Sequence, residues 1–145
     1  MITIVVKGLL LCLAYIYGAY TDIQLREIPD AVPLVIFLSG FINFSPLSAF
    51  MGFVFIGLTF LLAAVFGNMG GGDFKLMAAS GFALGLSGGV LQTIIGLTTA
   101  ITYVFLIRCI MKKTSSSTHI KKIGIPLALF LGAGGILSYL LINIL

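Results

Sequence analysis

The chain carries only four acidic residues, and they fall into two clusters. Asp22, Glu27 and Asp30 share one short window. Asp73 stands alone far downstream, directly after Gly70-Gly71-Gly72 and before Phe74-Lys75. Two carboxyls a few ångströms apart cannot both ionise comfortably, so such a pair holds one proton between them. The ionised member takes a proton from a water molecule as that water attacks a peptide carbonyl. The protonated member hydrogen-bonds the carbonyl oxygen and then helps to protonate the leaving amine. This chemistry needs no metal and no organic cofactor. Asp73 is therefore one candidate half of a proteolytic dyad. Asp22 is its preferred partner, because it closes the first apolar run and lies against a helix bundle. Glu27 and Asp30 flank Pro29 and are expected to face water. Asp30 stands just ahead of the next apolar segment and reads as its N-cap. The plainer alternative to the dyad makes Asp73 the N-cap of a helix and Asp22 an interfacial charge. The glycines before Asp73 allow other groups close to its backbone and also permit movement there.

Composition says what must position these acids. Of the 145 residues 60% are hydrophobic and 8% are charged, against roughly 25% charged in a soluble domain. So few charges cannot cover a water-facing surface, and the chain reads as an integral membrane protein. A spanning helix needs ~20 residues, so the length holds six spans with short connections. A single domain over residues 1–145 results, with no room for a soluble domain of ~50 residues or more. The net charge of +4 orients the chain in a lipid bilayer and is no nucleic-acid signal. Cys12 and Cys109 stand apart beside apolar stretches. They form no CxxC pair for zinc or redox work and are expected to be buried in packing.

Taken in order, Ile2–Tyr20 is an apolar run interrupted by Lys7, read as a retained helix and not a cleaved leader. Pro29 disfavours helix at Ile28 and breaks the chain. Residues Ala31–Phe44 are short for a span, covering about 21 Å against a hydrocarbon core of ~30 Å. Arg26 precedes this segment and Lys75 follows the next run, Leu47–Phe66. Both belong on the cytoplasmic side, which requires two crossings between them. Leu76–Leu86 follows, with Gly81, Gly85 and Gly89 at a spacing that suits close helix packing. A tight turn is expected at Ser87-Gly88-Gly89, before a span over Val90–Ile107. Arg108 to Lys122 reads as a cytoplasmic loop containing Lys112, Lys113, His119 and Lys121 but no acid. Its basic residues suit anionic lipid headgroups, and the lone His119 makes a poor metal site. Gly124-Ile125-Pro126 opens the last helix. The expected fold is all-α, a polytopic bundle of six transmembrane helices with both termini on the outer side. All four acids then lie at one membrane face.

Gly70-Gly71-Gly72-Asp73 matches the GxGD motif of polytopic aspartic proteases, and with Phe74-Lys75 it resembles the GxGDxK form of the prepilin peptidases. Asp22 followed by Ile28-Pro29-Asp30 is similar to that family's first aspartate and its downstream Ile-Pro-Asn/Asp. Ile125-Pro126-Leu127-Ala128, with Gly132-Ala133 after it, resembles the start of the family's last helix. The resemblance implies a membrane-embedded aspartic endopeptidase, with Asp22 and Asp73 as its catalytic residues. It implies cleavage of leaders from type IV prepilin or pseudopilin precursors at the cytoplasmic face of the cell membrane. Such leaders are usually short and basic and end in Gly before an apolar helix. Gly70, Gly72, Lys75 and Pro29 are the supporting positions, structural or substrate-binding. The larger bifunctional members carry an N-terminal domain with paired CxxC motifs and also methylate the new N-terminus. Without those motifs methyl transfer is not expected, and the peptidase-only branch of tight-adherence (Flp) pilus systems fits best. Presenilin-like proteases carry Pro-Ala-Leu where this chain has Pro126-Leu127-Ala128. The rival readings are a non-catalytic membrane assembly subunit, a small cation or proton carrier using Asp73, and an inactive relative that only binds prepilins.

Overall fold

The computed structural model describes residues 2–67, 70–113 and 126–144. Their regular structure is helical throughout: α1 (Ile2–Leu25), α2 (Ala31–Ser39), α3 (Pro46–Gly67), α4 (Gly71–Lys113) and α5 (Leu127–Ile144). Helix α1, helix α3 and the Gly71–Cys109 part of α4 are long and apolar enough to cross a membrane. Their outward faces are apolar as well, since Leu13, Ile16, Phe50, Phe55 and Phe105 are all more than half exposed. Apolar surface on this scale needs a non-aqueous neighbour. The protein is an integral membrane protein.

Helix α4 is folded back on itself. Gly85 interrupts it with φ 73° and ψ −177°, a conformation essentially restricted to glycine. Tyr15 on α1 reaches both Ser80 and Gln92, one on each side of the break. A methyl group placed on Gly89 would lie 3.3 Å from the Cα of Gly81. The reversal expected at Ser87-Gly88-Gly89 thus falls earlier, at Gly85. The reason is packing: Gly88 and Gly89 stay helical against Leu84 and Ile56, while Ser48 of α3 fills the space beside Gly85.

With the two arms of α4 taken separately, residues 71–84 and 86–113, the helical segments alternate in direction. Gly18 lies against Val32 while Lys7 reaches Ile42, so α2 runs back along α1. Gly52 faces Gly81 and Gly57 faces Ala78, which sets α3 antiparallel to the first arm. Gln92 bonds Leu131 and Gly88 approaches Ile142, pairing the second arm with α5. Helix α5 also returns along α1, where Tyr139 Oη donates to the Ile4 carbonyl at 2.6 Å. The N-terminal end of α1 and the C-terminal end of α5 therefore share one end of the bundle. Leu11, Tyr15, Ile36, Leu76 and Ala128 form the core between them.

Three further expectations change. The segment Ala31–Phe44 is helical only over the 9 residues of α2, about 14 Å at ~1.5 Å per residue. It gives way at Gly40, which is pressed against the Phe82 ring, and Phe41 and Phe44 turn to pack on that ring. Lys7, buried in α1, donates to the Ile42 carbonyl at 3.1 Å and so satisfies a group released after α2. Helix α4 continues through Arg108 to Lys113 rather than stopping at Ile107, as good helix formers such as Arg, Met and Lys allow. Cys109 is exposed and Cys12 only half-buried, both as free thiols; Cys12 borders an open groove between α1 and α5 and not a closed core. The expected loop residues His119, Lys121 and Lys122, with Gly124 and Ile125, lie outside the described residues.

Candidate active site

Asp22 sits in the last turn of α1. Arg26, at φ 55°, ends the helix just beyond it, and its N–H still closes on the Asp22 carbonyl at 3.1 Å. Asp73 is the third residue of α4, not its N-cap. Gly71 begins the helix, and the Asp73 N–H donates to the Gly70 carbonyl at 3.2 Å. A carboxylate in a first helical turn meets the positive end of the helix dipole. Both carboxylates are half-buried.

The two acids line one polar pocket of about 300 Å³, together with Arg26, Glu27, Asp30 and Lys75. They enter it from different elements, Asp22 from the last turn of α1 and Asp73 from the first turn of α4. The separate acidic clusters of the sequence thus become a single constellation. Asp22 is oriented by a second contact, since its Oδ2 accepts the backbone N–H of Ala128 at 3.0 Å. Ala128 lies in the first turn of α5, where N–H groups have no partner within the helix. Nothing in the sequence reading marked this donor.

The supporting residues divide by what they touch. Gly70 lies beside the Asp73 carboxyl, and a methyl group there would stand 3.4 Å from Oδ2. Gly72 takes the side chain of Ile28, whose Cβ would be 3.2 Å from such a methyl group. Gly71 meets nothing within 4 Å. Ile28 thereby docks the first acidic window onto the glycine run, a role beyond its place in the Ile-Pro-Asp motif. Pro29 does not line the pocket; its carbonyl accepts the Val32 N–H at 3.0 Å and starts α2. Lys75 pairs with Asp30 at 2.6 Å, with both side chains exposed. Asp30 does stand at the N-cap of α2, but its side chain makes no capping bond. Glu27 faces solvent, as its position beside Pro29 implies, while still lining the pocket.

On its other side Asp73 borders an apolar groove of about 550 Å³. Leu97, Ile101, Val104 and Arg108 line it, and their spacing follows one face of the second arm of α4. Gly70 and Leu127 complete the end nearest Asp73. Asp73 is thus the one acid that belongs to both the polar pocket and the groove. Two carboxyls lining one polar cavity have the parts needed for general acid and general base work on a bound water. Among the described residues no group of three or more His, Cys, Asp or Glu side chains is arranged to hold a metal ion.

A family model described as the type IV leader peptidase family matches residues 9–111. The match takes in Asp22 and Asp73 and ends before α5. No curated protein matches the chain, and no solved structure matches it.

Proposed function

Because the chain belongs to the type IV leader peptidase family, we propose that it cleaves the leaders of prepilin-type precursors as an aspartic endopeptidase, with Asp22 and Asp73 as the catalytic pair. The observation that carries this reading is the position of Asp73 between an acidic pocket and an apolar groove. A precursor with a basic leader and an apolar helix has matching halves. Its leader suits the pocket, where four acids outnumber Arg26 and Lys75, and its helix suits the groove along the second arm of α4. The scissile bond then falls beside Asp73.

In the reaction the ionised member of the pair removes a proton from water as oxygen attacks the peptide carbonyl carbon. The protonated member donates a hydrogen bond to the carbonyl oxygen. The tetrahedral intermediate collapses when the leaving nitrogen is protonated, which releases the leader as an acid and the pilin as an amine. The hydrogen bond from Ala128 holds Asp22 in place through these steps. Arg26, Lys75 and Arg108 cluster at the acidic end of the bundle. By the positive-inside rule that end is cytoplasmic, which puts both termini outside and gives six crossings. We assign proteolysis without methyl transfer, because Cys12 and Cys109 form no CxxC pair. The substrate fitting this chain best is an Flp-type precursor.

The test is to co-express the chain with such a precursor and follow the precursor's size. Asp22→Asn and Asp73→Asn keep the side-chain shape but cannot exchange the proton, so each should stop cleavage while membrane insertion persists. Cleavage by both variants would leave a carrier or assembly role for Asp73. Loss of cleavage in Glu27→Gln or Asp30→Asn, with Asp22→Asn active, would move the partner role to that residue.

A further inference from the structure

Two turns away from the acids, side chains of the same two helices reach each other again. Tyr15 lies seven residues before Asp22 on α1, and Ser80 lies seven residues after Asp73 on the first arm of α4. Seven residues are almost two full turns, so Tyr15 shares the face of Asp22, and Ser80 that of Asp73. The helices run in opposite directions, and the two pairs therefore form successive rungs about 10 Å apart. The upper rung is a hydrogen bond from Tyr15 Oη to Ser80 Oγ at 2.9 Å.

That rung is stiff and dry. Tyr15 is 2% exposed and Ser80 is 0% exposed. The Ser80 hydroxyl donates to the Leu76 carbonyl at 2.8 Å, which fixes its rotamer. The Tyr15 ring is held in a slot on α5, where methyl groups on Gly132 or Gly135 would run into it. Gln92 of the second arm stands 3.5 Å from the same Tyr15 hydroxyl and donates to the Leu131 carbonyl of α5 at 3.0 Å. This polar cluster joins α1, both arms of α4 and α5 at one level. The surrounding contacts are small or aliphatic, as with Ala14, Ala79 and Leu76, and apolar surfaces slide past one another more freely than a hydrogen bond allows. Among the described residues, helices α1 and α4 have no Cα atoms within 8 Å of each other, so the Tyr15–Ser80 hydrogen bond is a direct polar link between two helices otherwise joined through α2 and α5.

We propose that Tyr15 and Ser80 are positioning residues, a register clamp that holds Asp22 opposite Asp73. The clamp matters to catalysis only if those acids are the catalytic pair, so its test includes a readout that does not depend on cleavage. In a chain with Cys12→Ala and Cys109→Ala, introduce Asp22→Cys and Asp73→Cys and measure the rate at which a short bifunctional methanethiosulfonate joins them in membranes. Tyr15→Phe keeps the ring and removes only the hydroxyl; Ser80→Ala removes the acceptor. Each should slow crosslinking several-fold, and the double variant should be no slower than either alone, because the pair acts as a unit. In the chain with its aspartates, each should lower kcat about tenfold or more with KM little changed. Equal crosslinking rates in all variants, with kcat at the parental value, would overturn the clamp. So would a change in KM with kcat left at the parental value. Loss of activity in Asp22→Asn bears on the catalytic pair and leaves the crosslinking result to judge the clamp.

Discussion

The carboxylate of Asp22 accepts a hydrogen bond from the backbone N–H of Ala128, 3.0 Å away and 106 residues further along the chain. A charged acceptor makes such a bond worth ~1.5–3 kcal/mol. Proline in the first turn of a helix removes the donor without breaking the helix. Ala128→Pro should therefore lower cleavage about tenfold, with the protein still present in the membrane fraction. Ala128→Ser, which keeps the N–H, should lose far less. The check is precursor processing normalised to the amount of inserted protein.

The acid pair should show itself in the pH dependence of the rate. Two coupled carboxyls titrate in two macroscopic steps that belong to the pair. Below the lower step both are protonated and no base remains; above the upper step both are ionised and no acid remains. Cleavage measured across pH in proteoliposomes should accordingly trace a bell. A rate that rises to a plateau and stays there at high pH would mean that only one carboxyl titrates in the working enzyme.

Lys75 and Asp30 should matter little to stability despite their short contact. Both side chains are more than half exposed, and exposed ion pairs are worth ~0.2–1 kcal/mol. A double-mutant cycle of Lys75→Ala and Asp30→Ala, read by thermal unfolding in detergent, should return a coupling in that range that shrinks with added salt.

Glycine substitutions should separate sharply by position. Gly52 and Gly81 bring α3 and the first arm of α4 backbone to backbone, and a methyl group on either collides with the other's carbonyl. Gly52→Ala and Gly81→Ala should each cost about 1–3 kcal/mol or more, seen as lost thermal stability. Gly85→Ala should do similar damage, since it combines a forbidden backbone conformation with a collision against Ser48 Oγ. Gly71→Ala meets open space and should be neutral or slightly stabilising.

These glycines also mark the limit of what the sequence discloses. The apolar runs and the rarity of charge made the helical membrane bundle legible, as did the clustering of Asp22 and Asp73 toward one end. Which of Gly85, Gly88 and Gly89 takes the reversal was not legible, because all three tolerate it. Ser48 and Ile56 decide it, and both come from another helix, α3. Asp30 was legible as an N-cap position, but its side chain answers to Lys75, 45 residues away. The Ala128 donor is a backbone group and leaves no trace in residue identity. The shortness of α2 likewise follows from Phe82 pressing on Gly40, a tertiary fact.

The two arms of α4 are unequal. The first covers residues 71–84, about 21 Å, and the second covers 86–113, about 42 Å. Since both begin at Gly85, Leu97 lies level with Asp73, and the second arm overshoots it, with Ile101 to Arg108 beyond as one wall of the groove. Asp73 consequently lies at the foot of a step beside an apolar groove, with Asp22 on the adjoining polar pocket. On the function proposed, a precursor reaches them by lateral diffusion, in a search confined to two dimensions. A leader peptide cut loose from its apolar helix loses that guidance and should be a poor competitor even at high concentration.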